Sequence, residues 1–130
     1  MSDGKKPRWQ VDVVQYTAGQ WVIREGEPGD CAYVIQQGEV EVLKRNHLLG
    51  EETIIARLGP QEIFGEMCLF EAHPVRSASV RVLSHKAEIM AISKKNFQAQ
   101  LDAMPAGMRY IVRVLIKRLR AANHQITLLT

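Results

Sequence analysis

A chain of 130 residues and 14.7 kDa buries about two-thirds of the surface its unfolded form exposes, enough for one hydrophobic core without disulfides or metals and too little for two ordinary domains. Hydrophobic residues make up 46% and charged residues 24%, which excludes disordered, collagen-like and low-complexity chains, and no apolar run reaches the roughly 18 to 20 residues of a membrane span. The net charge of +3 is unevenly spread: the first 105 residues hold 12 basic and 14 acidic side chains, or −2, and the last 25 hold five basic ones, or +5. The opening MSDGKKPRWQ has two lysines but no apolar segment behind them, so no signal peptide is read and a cytoplasmic setting is expected.

Up to about residue 92 short segments rich in Val, Ile and Thr alternate with turn signals, the pattern of a small β-sandwich or barrel. The expected strands are Val11–Thr17, Trp21–Glu25, Cys31–Gln36, Glu39–Lys44, Thr53–Leu58, Arg76–Leu83 and Lys86–Ile92. Gly26 to Asp30, with Pro28-Gly29 inside it, reads as a tight loop, Gln37-Gly38 as a two-residue hairpin and Gly59-Pro60 as a break. Cys31 and Cys68 lack CxxC spacing and are expected as reduced core residues.

Phe64-Gly65-Glu66-Met67-Cys68-Leu69-Phe70 interrupts the strand pattern. A glycine followed by a short apolar run suits one or two helical turns whose free N–H groups hold a small anion. In the strand that follows, alternation puts Arg76 on the face of Ala78, Val80 and Val82. A guanidinium aimed into a core needs a fixed anion, and its planar fork fits a phosphate, with the Ser77 hydroxyl as a second donor. The competing reading is a plain ion pair between Glu66 and Arg76.

After Ile92 the pattern turns helical. Ser93 is the expected N-cap of a helix to about Asp102, and Pro105 sits in the first turn of a longer helix to about Asn123. At 100° per residue, Arg109, Arg113, Lys117 and Arg120 fall within about 80° of one another and read as one solvated basic stripe. Arg118 lies about 180° from Arg109, within the apolar arc of Ile111, Val114, Leu115 and Ala122. Met108, Val112, Leu115, Leu119, Ala122 and Ile126 follow alternating steps of four and three, the seam of a two-stranded coiled coil. The alternative is that the whole arc covers the domain's own core.

FGEMCLFEAHPVRSASV resembles the phosphate-binding cassette of the cyclic nucleotide-binding domain family. GDCAYVIQQGEVEV resembles that family's early hairpin, ISKKNFQAQL its first C-terminal helix, and MRYIVRVLIKRLRAANH the last helix of its bacterial transcription-regulator branch. The resemblance implies a mainly β fold with flanking helices: an antiparallel, jelly-roll-like β-roll over about 11–92, then a short and a long helix over about 93–124, the whole chain 1–130 being one domain. It implies that Glu66 accepts a hydrogen bond from a ribose 2′-hydroxyl and that Arg76 binds the phosphate. Backbone around Phe64, Gly65, Met67, Cys68 and Ala78 and the Ser77 hydroxyl would assist. Arg118 would meet Glu66 or the purine, or else pair across a dimer, and Asn123 would lie near the purine edge.

The ligand so implied is cAMP, because the residue after the arginine is Ser77 where many cAMP binders of the family have alanine or serine and many cGMP binders threonine, and cGMP is the alternative. No other cofactor and no metal is expected: His47, His73, His85 and His124 are isolated. No nucleophile and base stand paired, so a non-enzymatic regulatory module is expected, with a downstream protein partner and a homodimer through the last helix. Without a recognition helix after the basic stripe, direct nucleic-acid binding is not expected, nor is a membrane. The rival from another class is a dimerising scaffold of the same fold that has lost its ligand.

Overall fold

The computed structural model describes residues 12–129, and the side chains as far as residue 122. In chain order the strands are β1 (Asp12–Thr17), β2 (Trp21–Ile23), β3 (Cys31–Gln37), β4 (Val40–Arg45), β5 (Glu52–Leu58), β6 (Ile63–Phe64), β7 (Ser79–Val82) and β8 (Lys86–Ser93). A 3-10 helix, Glu66–Leu69, follows β6, and the helices α1 (Lys94–Ala103) and α2 (Ala106–Leu129) follow β8. The strands form two four-stranded antiparallel sheets, ordered β1-β8-β3-β6 and β2-β7-β4-β5. This is the expected β-roll.

The core lies between the sheets. Alternation turns Ile35 on β3 and Ala87 and Ile89 on β8 inward from the first sheet, to meet Val40 on β4 and Val80 and Val82 on β7, with Phe64 closing one end. Each such side chain contributes about 1.5 to 3 kcal/mol by leaving water. The one buried carboxylate among the described residues, Glu41, is 5% exposed and is held at 2.7 Å by Arg81, its cross-strand partner, so its charge is not left unpaired.

Three expectations change. The two-residue connection at Gly38 is not a hairpin: β3 and β4 belong to different sheets, and the chain turns a corner between them. Gly38 has φ 92°, and a methyl group there would lie 2.6 Å from the Lys86 carbonyl oxygen and 2.8 Å from Ala87 Cα. Gly38→Ala is therefore expected to destabilise the fold by about 2 kcal/mol or more, from backbone strain and overpacking together, as measured by urea unfolding. Second, the strand expected from Arg76 begins only at Ser79. Arg76 instead pairs with the loop after β2: its N–H donates to Glu27 O at 2.9 Å and its carbonyl accepts from Gly26 N at 2.8 Å. Third, β6 went unread because two residues carry no periodicity.

The helices follow their punctuation. Ser93 caps α1, its hydroxyl accepting from Asn96 N at 3.1 Å. Pro105 precedes α2 by one residue, and the helix continues past Asn123. The basic stripe of α2 is not simply solvated. Arg113 bonds Asp102 at 3.4 Å, Arg109 donates to the Asp102 carbonyl at 2.9 Å and Arg120 reaches Glu71 at 3.8 Å. The stripe thus faces oxygens of α1 and of the loop after the 3-10 helix, and the apolar arc is left outward. Met108, Ile111 and Leu115 are each more than half exposed and Leu119 is 40% exposed, so the arc does not cover the domain's own core. No described helix is long and apolar enough to cross a membrane.

Candidate functional site

Gly65 begins the site. It takes φ 71°, a left-handed conformation that L side chains resist, and so turns the chain from β6 directly into the 3-10 helix. No side chain caps that helix, so the first N–H groups of Glu66, Met67 and Cys68 have no partner within it. Leu69 and Cys68 anchor the turn from below, packed with Ala32 and against Phe70 and Phe97. The N–H groups are thereby held rigidly at the wall of a cleft of about 560 Å³.

Opposite them stands Arg76, 8% exposed. Its Nη2 donates to the Cys31 carbonyl at 2.8 Å and its Nη1 to the Gly65 carbonyl at 3.2 Å, while the guanidinium carbon lies 5.7 Å from the Tyr33 ring centre. A guanidinium has five N–H groups, so both bonds together leave donors for an anion in the cleft. Among the described residues no ion pair joins Glu66 to Arg76. The competing reading, that the two charges merely neutralise each other, is not what the chain adopts. Carbonyl dipoles orient the arginine, and a neighbouring carboxylate does not consume its charge.

Of the ten residues singled out in the sequence, Phe64, Gly65, Glu66, Met67, Cys68, Arg76, Ser77 and Ala78 all line this one cleft. Arg118 does not. It is exposed and lines neither this cleft nor a second one between α1 and α2: among the described residues of α2, Arg113, Ile116 and Arg120, spaced three and four apart, do so, and Arg118 lies about 160° around the helix from Arg120. The side chain of Asn123 lies outside the described residues. Arg120, which the sequence places in the basic stripe, is the α2 side chain at the cleft among the described residues, with Glu71 and His73 also on its wall. Nothing in the helical pattern marks Arg120 over Arg118, since only the docking of α2 decides which arginine faces in.

Both thiols are free. Burial pushes the Cys31 thiol up to about 11, helped by its hydrogen bond with Asp30, against a partial lowering by Arg76. Cys68 is also raised by burial, with Arg76 again opposing. Neither is a thiolate at neutral pH, so both are poor nucleophiles. Modification of the native chain by iodoacetamide at pH 7 is expected to be far slower than that of the unfolded chain, as followed by mass spectrometry.

One cleft thus offers a buried arginine with spare donors, uncapped backbone N–H groups and, on the same turn as those N–H groups, a carboxylate with no ion pair among the described residues. A ligand with one negative charge and one hydroxyl at a fixed separation matches it: the anion meets arginine and N–H groups, and the hydroxyl donates to Glu66. The model of the cyclic nucleotide-binding domain family matches residues 13–104. The cyclic AMP receptor protein of Thermus thermophilus is 33% identical over 115 residues, 88% of this chain and 52% of that protein. The cAMP-dependent protein kinase regulatory subunit of Emericella nidulans is 29% identical over 99 residues, 76% of this chain and 23% of that protein. Among solved structures, the halfsite-occupied form of EAL enzyme Bd1971 superposes with a TM-score of 0.75 at 34% identity, covering 88% of this chain and 99% of that one. The catabolite activator protein of Thermus thermophilus gives a TM-score of 0.70 at 29% identity, covering 92% and 55%. The chain spans about half the length of the bacterial receptor proteins it matches. With a family model matched over residues 13–104, the chain belongs to the cyclic nucleotide-binding domain family.

Proposed function

We propose that the chain is a non-enzymatic sensor module that binds one cyclic nucleotide, preferentially cAMP, and signals through α2. The observation that carries this reading is the buried Arg76, oriented by two carbonyls and facing the same cleft as an unpaired Glu66. Arg76, the N–H groups from Gly65 to Cys68 and the Ser77 hydroxyl would hold the cyclic phosphate. Glu66 would take the ribose 2′-hydroxyl. Preference for cAMP is supported by Ser77 and by relatives whose names specify cAMP; cGMP is the alternative ligand. 5′-AMP carries a second charge on a flexible phosphate and has no fixed place in a cleft with one buried cation.

Titration calorimetry with cAMP is expected to give one site per chain. At about 100 times its dissociation constant cAMP stabilises the native state by roughly 2.7 kcal/mol, read as a raised melting temperature, while 5′-AMP does far less. The nucleotide should be recovered unhydrolysed. No heat and no thermal shift with cAMP or cGMP at millimolar concentration would leave the fold as a scaffold without ligand.

Glu66→Ala tests the division of roles. It removes a charge-assisted hydrogen bond with a net value of roughly 1.5 to 3 kcal/mol, and it should narrow the gap between cAMP and its 2′-deoxy analogue. An unchanged preference against the 2′-deoxy compound would reassign Glu66.

The output we propose is a homodimer through the outward apolar arc of α2. With Met108, Ile111, Leu115 and Leu119 facing away from the roll, a second copy offers the same arc in return. Arg118 lies on this open face, where a partner chain or a shift of α2 on ligand binding would give its charge a counterpart. A downstream protein would then read the position of α2, in a cytoplasmic setting.

A further inference from the structure

Gly29 does not occupy a left-handed conformation, so its backbone does not require glycine. Space does. A methyl group on Gly29 would lie 2.3 Å from Arg76 Nε and 2.4 Å from Arg76 Cζ, and one on Gly65 would lie 2.7 Å from Arg76 Nη1. All three separations are well inside van der Waals contact. The guanidinium therefore runs through a slot between two loops, the one after β2 and the one after β6, at the points where each lacks a side chain. Carbonyls of Cys31 and Gly65 close the slot by hydrogen bonds.

The same loop also holds the arginine's backbone. Gly26 N donates to Arg76 O, Arg76 N to Glu27 O, and Gly29 N to Pro74 O at 3.2 Å. Behind it, Lys94 N at the start of α1 donates to Asp30 O at 2.7 Å. Backbone and side chain of Arg76 are thus fixed by one segment, which is itself pinned to the first helix.

We infer that Gly29 is a positioning residue for the nucleotide site: its missing side chain makes the slot that aims the Arg76 guanidinium into the cleft. The slot stands on geometry alone, whereas its consequence for affinity rests on the proposed cyclic nucleotide reading. With a methyl group at position 29 the flexible end of Arg76 is displaced while the backbone around it has no need to move. The carbonyl bonds are lost, and the charge no longer meets the phosphate at the angle that allows two parallel bonds.

The experiment is a double-mutant cycle on the full chain with Gly29→Ala, Arg76→Ala and both, read by melting without ligand and by calorimetry with cAMP and with adenosine, which lacks the phosphate. Gly29→Ala alone should lower the melting temperature and weaken cAMP at least tenfold, with little change for adenosine. In the Arg76→Ala background, where the slot is empty, Gly29→Ala should lower neither further. An equal fall in melting temperature in both backgrounds overturns the slot, and wild-type cAMP affinity in Gly29→Ala overturns the positioning role. A wild type that binds neither cAMP nor cGMP removes the ligand reading, and the melting arms still decide the slot. Should Gly29→Ala fail to fold, folding of the double variant supports the slot and its failure refutes it.

Discussion

Arg76→Ala is expected to reduce cAMP affinity by roughly two to three and a half orders of magnitude. Removing one member of a buried charge pair costs about 3 to 5 kcal/mol, and each 1.4 kcal/mol is about tenfold in the dissociation constant. The burial is on the protein side, since Arg76 is 8% exposed before any ligand arrives, and the phosphate would lose its water on entering. The same change should also lower the stability of the free chain, because the Cys31 and Gly65 carbonyls lose their donor at a net value of about 0.5 to 1.5 kcal/mol each. Arg76→Lys keeps the charge and loses the fork, so it should fall between wild type and Arg76→Ala. Calorimetry across the three proteins, with Glu66→Ala alongside, checks the order. Equal losses from Arg76→Ala and Glu66→Ala, with the preference against the 2′-deoxy analogue unchanged, would mean that the roles of the two residues are misassigned.

Leu115→Glu/Leu119→Glu is expected to turn a dimer into a monomer. These two residues are 57% and 40% exposed in the single chain, so covering what remains of each against a partner contributes about 1 kcal/mol, a part of the full-burial value of a leucine. A symmetric interface counts each position twice, so four leucines are lost and four carboxylates put in their place. The expected weakening exceeds a thousandfold. Light scattering at micromolar concentration should report a dimer for the wild type and a monomer for the variant, whose roll should still melt cooperatively because neither leucine belongs to its core. A wild type that stays monomeric at high micromolar concentration, with and without cAMP, would leave the apolar arc for a different protein to cover.

Local patterns in the amino-acid order suffice for the strands whose β-branched residues alternate, for the capped start of α1 and for the composition of the cleft. Strand alternation has a period of two and needs no partner to be read, and a cap such as Ser93 acts on the N–H of a residue three positions away. Eight of the ten residues named from sequence meet in one cleft because they come from two short segments, 64–68 and 76–78, each carrying its residue types in a fixed local order. Even the inward direction of Arg76 was legible, although it lies outside the strand whose alternation pointed to it. Contacts between segments distant in the chain leave no such local pattern and emerge only from the folded arrangement. Gly38 reads as a hairpin turn because its two-residue length is the same whether the chain folds back in one sheet or crosses to another, and the choice is made by β8, which pairs with β3, and β7, which pairs with β4. Gly29 reads as a turn residue because a sequence shows its freedom and not the arginine that fills the space beside it. Arg120 rather than Arg118 faces the cleft because α2 turns the side that carries Arg113, Ile116 and Arg120 toward Phe70, Phe97 and Leu101, and a helical wheel fixes angles between residues but not the angle at which the helix docks.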